Sequence, residues 1–365
     1  MNTTVLKSSI VEAVTLAEKI TGKKESLPVL SCILVEVGKE ITLRATNLEA
    51  GIVISVPAEV QEKGVVAVPA SIFSQTLRSI GAEKVTLKAE EGNLLVESRA
   101  TRTLIKAIPH TEFPKLPDEG ETEEITLPRE KFLRAMQGVS YAASPSMIRP
   151  ELGSVFISIS RNFLQAVATD SFRLAEKRIV GVTSKQERDV LIPLKHAAEL
   201  SYILERVHEE NIELAADDSQ LVVTVGRVRY TSRVVEAQFP NYKEIIPKTF
   251  TTEATLLKND FAEMLRKARV FSGNDQHVGL HIYPKKKIFT ATARSSEVGE
   301  MSDSLDSALS GEDLDINFHI GYLSECLTSI DSDSITMQFA GIGRPLIIKG
   351  VSDQAYTYLV MPLNR

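Results

Sequence analysis

The sequence contains no tryptophan and only two cysteines, Cys32 and Cys326, among its 365 residues. Both cysteines lie inside apolar segments, which predicts buried free thiols in a reducing compartment and argues against a disulfide framework. No apolar run approaches the roughly 18 residues that a membrane-spanning helix needs. Charged residues also interrupt the N-terminal segment, where a secretory signal would carry its apolar core. We therefore expect a cytoplasmic protein without a membrane partner.

Sequence motifs for catalysis and for metal binding are scarce as well. His277 and His281 stand four residues apart, but their segment, HVGLH, has no glutamate beside the first histidine and is typical of a strand. Residues at that spacing in a strand lie roughly 13 Å apart. Asp331 and Asp333 are more typical of a turn than of an ion site, and neither a nucleophile elbow nor a P-loop is present. We expect no enzymatic activity, no cofactor and no metal.

The length of the chain predicts two or three domains, because 365 residues exceed one ordinary core. The apolar fraction of 43% is ordinary for a globular protein. The net charge of −6, taken alone, argues against a nucleic-acid partner.

An internal repeat organises the chain. Three segments, roughly 125 residues apart, each predict a short strand followed by an amphipathic helix: TTVLKSSIVEAVTLAEKI from Thr3, ITLPREKFLRAMQGVSYAA from Ile125 and ATLLKNDFAEMLRKARVFSG from Ala254. A second strand and helix recur within each third, beginning at Val65, Val190 and Ile316, and each third ends in alternating strands. The sequence therefore predicts an α+β fold of six related β-α-β-β-β units, paired into three domains.

The acidic, turn-rich segment PDEGET (117–122) and the segment PKTFTT (247–252) place the predicted domain boundaries, giving domains at 1–121, 122–250 and 251–365. Neither boundary is a long linker, so we expect a fixed, curved array in which two chains could close a ring. The alternative is an open three-domain solenoid, which repetition alone does not exclude.

Positive charge is concentrated in the predicted helices. The six helix windows carry a net charge of +6, so the rest of the chain carries −12. Helices that line one surface would attract phosphates there. The alternative is that charged residues simply favour exposed helix faces. Since no base-reading motif accompanies these charges, any contact with DNA would be to the backbone and independent of sequence.

The stretch ATDSFRLA (168–175) follows an apolar run that predicts a strand, and Thr169, Asp170 and Ser171 then predict a turn. Phe172, Arg173 and the following leucine could form the lip of a peptide pocket. The alternative is an ordinary hairpin turn. The corresponding stretches of the other two copies, ATNLEAG (45–51) and ATARSSE (291–297), lack Phe-Arg-Leu, which favours a binding site in the middle copy.

Together with FPNY (239–242) and the C-terminal YLVMP (358–362), this stretch resembles the bacterial sliding clamps, the beta subunits of DNA polymerase III, over the full length. The resemblance implies a clamp fold in which two three-domain chains form a closed homodimeric ring around duplex DNA. Such a ring confers processivity on the replicative polymerase without catalysing a reaction. The partners it implies are the alpha subunit of DNA polymerase III, the clamp loader complex, and other DNA polymerases and repair proteins that carry clamp-binding motifs.

The resemblance also implies a pocket between the second and third domains that receives a partner peptide. Its residues here would be Leu152, Thr169, Phe172, Arg173, Leu174, Pro240, Ile245, Tyr322, Pro345, Leu359, Met361 and Pro362. The commonest family pattern is ATDGHRLA, with Gly and His where this chain has Ser171 and Phe172. We therefore expect the peptide sequence that this pocket prefers to be specific to this chain.

Two further sets of residues follow from the resemblance. Those that match DNA contacts are Lys24, Arg78, Arg149 and Lys195. At the dimer interface, Thr103 and Ile105 on an edge strand would meet Val270 and Phe271 of the other chain. The alternatives are solvated surface positions for the first set and, for Val270 and Phe271, burial in the core of their own domain.

Two other classes of function remain as alternatives at this point. One is a β-rich repeat protein that binds proteins but never DNA, and the other is an enzyme. The positive helices favour a DNA-encircling scaffold over the first, and the lack of a convergent acid, base or nucleophile disfavours the second.

Overall fold

The computed structural model describes residues 1–22, 27–99, 101–115 and 123–363. Every strand pairing among them is antiparallel. The chain forms two compact units, Met1–Glu130 with Glu199–Val234 and Lys131–Ala198 with Val235–Arg365. Two helices are divided between the units: α3 at Arg129–Ser140 and α4 at Leu194–Leu204.

The first unit contains two sheets. Its helices are α1 at Lys7–Ile20 and α2 at Ala70–Ser79. Its strands are β1 Asn2–Leu6, β2 Cys32–Val37, β3 Ile41–Thr46, β4 Ala50–Val56, β5 Glu59–Glu62, β6 Gly64–Pro69, β7 Lys84–Glu90, β8 Asn93–Glu97, β9 Arg102–Ile105, β10 Ile125–Pro128, β15 Asn211–Ala216, β16 Gln220–Val225 and β17 Val228–Arg233. They form a five-stranded sheet, β5-β1-β7-β8-β9, and an eight-stranded sheet, β10-β15-β16-β17-β4-β3-β2-β6.

The second unit also contains two sheets. Its further helices are α5 at Lys258–Phe271 and α6 at Ile320–Glu325. Its strands are β11 Ser154–Ile159, β12 Phe163–Thr169, β13 Arg173–Val180, β14 Arg188–Pro193, β18 Thr252–Leu257, β19 His277–Tyr283, β20 Ile288–Ser295, β21 Gly299–Ser304, β22 Ser307–Gly311, β23 Leu314–His319, β24 Ser334–Phe339, β25 Leu346–Gly350 and β26 Tyr356–Val360. They form a nine-stranded sheet, β14-β11-β12-β13-β26-β25-β24-β18-β22, and a four-stranded sheet, β21-β20-β19-β23.

The order of elements confirms the six β-α-β-β-β units predicted from the repeat. Strands β5 and β22 are additions to that pattern. One predicted correspondence is wrong. The stretch ATARSSE does not turn at the third residue, because β20 continues to Ser295 and Ala293 still pairs with Met301. The corner of the third copy therefore lies later in the chain, at 296–298 between β20 and β21.

Apolar spacing explains why the helices form and which face they bury. In α3, Phe132, Met136 and Val139 are fully buried, and in α5, Phe261 and Met264 are as well. Spacings of three and four residues place these side chains on one side of a helix, against the sheet. Both are therefore amphipathic helices, as the sequence predicted.

The two cysteines are buried and free, as predicted. Within the ranges given above, no helix is long and apolar enough to cross a membrane. The predicted boundary at 121/122 lies outside the described residues, and the boundary at 250/251 lies directly before β18.

Candidate peptide-binding site

The turn between β12 and β13 is closed by two of its own side chains. The Thr169 hydroxyl donates to the carbonyl of Arg173 at 2.6 Å and accepts from the backbone N–H of Ser171 at 3.2 Å. The Asp170 carboxylate accepts from the N–H groups of Phe172 at 2.9 Å and Arg173 at 3.0 Å. Short Asp and Thr side chains cap turns in this way. The turn leaves the Phe172 side chain 60% exposed.

Ser171 lies in the left-handed region, with φ of 80°. An L-residue with a Cβ is disfavoured there by roughly 1–2 kcal/mol. The family pattern carries glycine at this position, so the departure noted in the sequence does strain the backbone.

Arg173 is the centre of the polar contacts below this turn, and its side chain is only 10% exposed. Its Nε donates to Asp170 at 3.0 Å, its Nη2 donates to the carbonyl of Tyr141 at 2.7 Å, and its Nη1 donates to Glu325. The guanidinium also lies 4.4 Å from the centre of the Tyr322 ring. Burial opposes the charge, but the two carboxylates outweigh it and raise the pKa of Arg173. Arg173 is therefore a buried support and not part of the lip.

The environment of Arg173 also shifts the pKa values of a neighbouring histidine and a neighbouring thiol. Burial, reinforced by the charge of Arg173, lowers the pKa of His319 below its ordinary 6.5. The neutral Nδ1 of His319 accepts from the N–H of Tyr322 at 3.4 Å at the start of α6. Burial also raises the pKa of the Cys326 thiol, which keeps it protonated and unreactive at neutral pH.

An apolar cluster lies under the turn and contains three of the predicted pocket residues, Leu174, Leu359 and Met361. Leu174 and Leu359 are directly paired across β13 and β26, so they project on the same face of the sheet. The other members are Val167, Tyr242 and Ile347, with Phe156, Phe239, Ile246 and Phe250 packed against them. Phe156 and Phe239 stack with ring centres 4.7 Å apart.

Three chain segments meet at one end of the adjacent strands β13, β26 and β25 of the nine-stranded sheet. Val360 pairs with both Arg173 and Leu346, so these strand ends are level with one another. The N–H of Met361 donates to the carbonyl of Phe172 at 2.8 Å. Pro345 directly precedes Leu346 and is therefore at this end of the strands as well. The structure thus brings together Phe172, Pro345 and Met361 from distant parts of the sequence.

The remaining predicted pocket residues lie outside the apolar cluster. Pro240 and Ile245 flank the buried Tyr242, and Ile245 is 54% exposed. Pro362 is half-buried in the tail after β26. Leu152 is buried, and its N–H donates to the carbonyl of Arg149 at 3.0 Å.

Several residues of the site were not predicted. Tyr141, Glu325 and Asp170 hold Arg173, and Tyr242 and the two stacked phenylalanines complete the cluster. Ile342, 82% exposed in the loop before Pro345, adds apolar surface at the same end of the strands. FPNY was a usable signal for Phe239 and Tyr242, but no sequence pattern pointed to Tyr141 or Glu325.

The four predicted DNA-contact residues have different surroundings. Lys24 lies outside the described residues. Arg78 is half-exposed and donates to the Thr15 hydroxyl at 3.1 Å. Arg149 forms an ion pair with Glu151 at 2.9 Å, which reduces the positive charge that its loop offers to a phosphate. Lys195 is exposed on α4. With the observed bounds, the six α-helices of the described residues carry a net charge of +4.

The predicted interface residues require one correction. β9 is an edge strand, as expected. However, Ile105 is only 3% exposed, because its side chain points into its own unit, whereas the neighbouring Leu104 is 48% exposed. The expectation that Ile105 presents its side chain at the edge is wrong. Val270 is 61% exposed at the end of α5 and Phe271 is half-buried, so Val270 does not finish a core.

Family models match almost the whole chain. The N-terminal domain of the DNA polymerase III beta subunit matches residues 1–117, its central domain matches 126–241, and its C-terminal domain matches 243–364. The chain belongs to the DNA polymerase III beta subunit family. Beta sliding clamps of Staphylococcus aureus and Staphylococcus epidermidis are each 24% identical to it over 357 residues, or 95% of this chain and 94% of theirs.

Solved structures of DNA polymerase III beta subunits have the same fold. The Thermotoga maritima beta subunit superposes with a TM-score of 0.94 and 27% identity, covering 100% of this chain and 99% of that one. The Bacillus subtilis sliding clamp gives 0.95 and 22%, with 100% and 99% coverage. A Pseudomonas aeruginosa sliding clamp bound to griselimycin gives 0.95 and 22%, with 100% coverage of both chains.

Family membership confirms the predictions of a clamp fold and of a sliding clamp, a non-catalytic subunit of DNA polymerase III. It implies DNA and a polymerase as partners and a ring-shaped dimer.

Proposed function

We propose that two of these chains close a homodimeric ring around duplex DNA, in the cytoplasm, and tether the replicative polymerase there through a peptide pocket at the ends of strands β13, β25 and β26. The observation that carries this proposal is the meeting of Phe172, Pro345 and Met361 over the apolar cluster. The three domains are taken as 1–121, 122–250 and 251–365, with the pocket between the second and the third.

The site has the chemistry that peptide capture needs. Exposed apolar side chains at Phe172 (60%), Ile245 (54%) and Ile342 (82%) surround a buried apolar floor. Exposed apolar patches on a folded protein mark interaction sites, and short motifs bind by inserting apolar side chains between such walls. Ion pairs of Arg173 hold the lip from below, so the pocket is ordered before a ligand arrives.

The partners that we propose for this pocket are the alpha subunit of DNA polymerase III, the clamp loader complex, and other polymerases and repair proteins with clamp-binding motifs. One pocket per chain makes these partners compete. Contacts with DNA would be to phosphates from the helices and from Lys24, Arg78, Arg149 and Lys195, and would be weak, so that topological linkage provides long residence on DNA.

The pocket is tested by truncating its most exposed aromatic residue. Phe172→Ala should weaken the binding of a labelled polymerase-tail peptide about 10-fold, since removal of a central aromatic anchor costs ~1–2 kcal/mol. Val180→Ala is the matched control, because Val180 is 66% exposed at the opposite end of the same strand. Equal affinities for the two variants in fluorescence anisotropy would reject the pocket. Removal of residues 361–365 should abolish binding and leave the dimer intact.

Encirclement is tested by the topology of the DNA. A ring loaded on closed circular DNA should be retained through gel filtration and should be lost once the circle is cut. Equal loss from circular and linear DNA would reject encirclement and would favour a repeat protein that binds only proteins.

A further inference from the structure

The turn between β3 and β4 repeats the turn of the peptide-binding site bond for bond. The Thr46 hydroxyl donates to the carbonyl of Ala50 at 2.8 Å and accepts from the N–H of Leu48 at 3.0 Å. The Asn47 side chain accepts from the N–H groups of Glu49 at 3.0 Å and Ala50 at 2.7 Å. Leu48 has φ of 74°, close to the 80° of Ser171. The two turns thus have the same hydrogen bonds and a similar backbone conformation, in different copies of the repeat.

The neighbouring strands repeat as well. Ala50 pairs with Ser232 across β4 and β17, as Arg173 pairs with Val360 across β13 and β26. One residue further on, the N–H of Arg233 donates to the carbonyl of Glu49 at 2.8 Å. This bond corresponds in position and length to the one between Met361 and Phe172.

Around the turn between β3 and β4, charged residues replace the apolar ones of the peptide-binding site. Glu49 occupies the position that corresponds to Phe172, and Arg233 occupies the position that corresponds to Met361. The segment Phe113-Pro114-Lys115 corresponds to the start of FPNY, so Lys115 replaces Asn241. A cavity of about 500 Å³ opens here in the first unit, and its lining includes Glu49, Lys115, Gln220, Thr231 and Arg233.

We propose that this cavity is a second docking site that binds an acidic peptide segment. The inference that the ligand is a peptide rests on the proposed function of the first site, because the cavity has the same turn and the same backbone hydrogen bonds as that site. That the peptide is acidic rests on the lining itself, in which two cations, Lys115 and Arg233, face one carboxylate, Glu49. A carboxylate in the cavity would lie between the two cations, with the Thr231 hydroxyl and the Gln220 amide as further donors.

The existing ion pair in the cavity is too weak to exclude such a ligand. Arg233 and Glu49 approach only to 3.9 Å and are 69% and 59% exposed. Exposed pairs of this kind contribute little, so exchange of Glu49 for a carboxylate of the ligand has a low cost. Glu49 is then a built-in competitor for Arg233, and its removal should strengthen binding.

The test uses the full-length chain and a fluorescein-labelled decapeptide of alternating Glu and Asp, followed by anisotropy at low salt. The double substitution of Lys115→Gln and Arg233→Gln should weaken binding ~3- to 10-fold, given the modest worth of exposed charge pairs. Glu49→Gln should strengthen it ~2-fold. Arg227→Gln is the matched control for Arg233→Gln alone, because Arg227 is 56% exposed at the other end of the same hairpin and each of these single substitutions removes one positive charge.

Several outcomes would overturn the proposal. One is unchanged affinity in the double variant, and another is a loss in Arg227→Gln equal to that in Arg233→Gln, which would indicate general charge attraction. Competition by free glutamate or inorganic phosphate at the peptide's own concentration would indicate a simple anion site. Phe172→Ala should leave acidic-peptide affinity unchanged while weakening the polymerase-tail peptide. Loss of both ligands in that variant would place the acidic peptide in the first pocket, whereas loss of neither would reject the first pocket alone.

Discussion

Replacement of Arg173 should destabilise the second unit strongly, although the residue borders a surface turn. Arg173→Met keeps much of the side-chain volume but removes the charge that Asp170 and Glu325 share. Asp170 is only 13% exposed, so its carboxylate would stay buried without a cation. Breaking a buried pair costs ~3–5 kcal/mol, and the 47% exposure of Glu325 places the expected cost near the lower end, at ~3 kcal/mol.

The unit contains about 200 residues, and a domain of that size loses ~2–4 °C in Tm per kcal/mol. Differential scanning calorimetry should therefore show one transition lowered by ~6–12 °C. Arg178→Met is the matched control on the same strand. Its guanidinium lies 3.6 Å from the centre of the Phe163 ring but is exposed, so its loss should cost ~0.5–1 kcal/mol. Equal Tm shifts for the two variants would refute the assignment of Arg173 as a buried support.

Three other substitutions test separate parts of the structure. Ser171→Gly should raise the unfolding free energy by ~0.5 kcal/mol, since relief at positive φ exceeds the added entropy of the unfolded chain, whereas Ser171→Ala should give no gain in urea titrations. Stability should fall as pH drops below about 6.5, because unfolded His319 takes up a proton that folded His319, with its lowered pKa, resists. His319→Asn keeps an acceptor at the helix start and should flatten that slope below pH 6.5; an unchanged slope contradicts this. Replacing both Val270 and Phe271 with Ala should yield monomers in sedimentation, and an undiminished dimer would reject the interface.

The sequence predicted the architecture well because the repeat presents the same spacing several times. Apolar residues at helical spacing identified the buried faces of α3 and α5, and residues typical of turns placed the corner at Thr169 and Asp170. Agreement among copies made each single prediction more secure.

The role of Arg173 could not be predicted, because its partners lie far away in the chain. Tyr141 precedes it by 32 positions and Glu325 follows by 152, and no local pattern links them. A guanidinium in a turn is ordinarily exposed, so the sequence placed it on the lip.

The orientation of β9 was missed for a different reason. Ile105 and Leu104 are both apolar, so alternation along the strand does not tell which of them faces the core. The choice depends on pairing with β8, where Ile105 is opposite the buried Leu94.

The position of β26 in the middle of its sheet has a mechanical consequence. A partner held at Met361 would pull on a strand that pairs with β13 on one side and β25 on the other. Force directed along that strand loads both ladders in shear, so their hydrogen bonds must break together instead of opening one after another. An edge strand pulled in the same direction would be held by one ladder instead of two. A moving polymerase could therefore drag the chain by its C-terminal end without unravelling it.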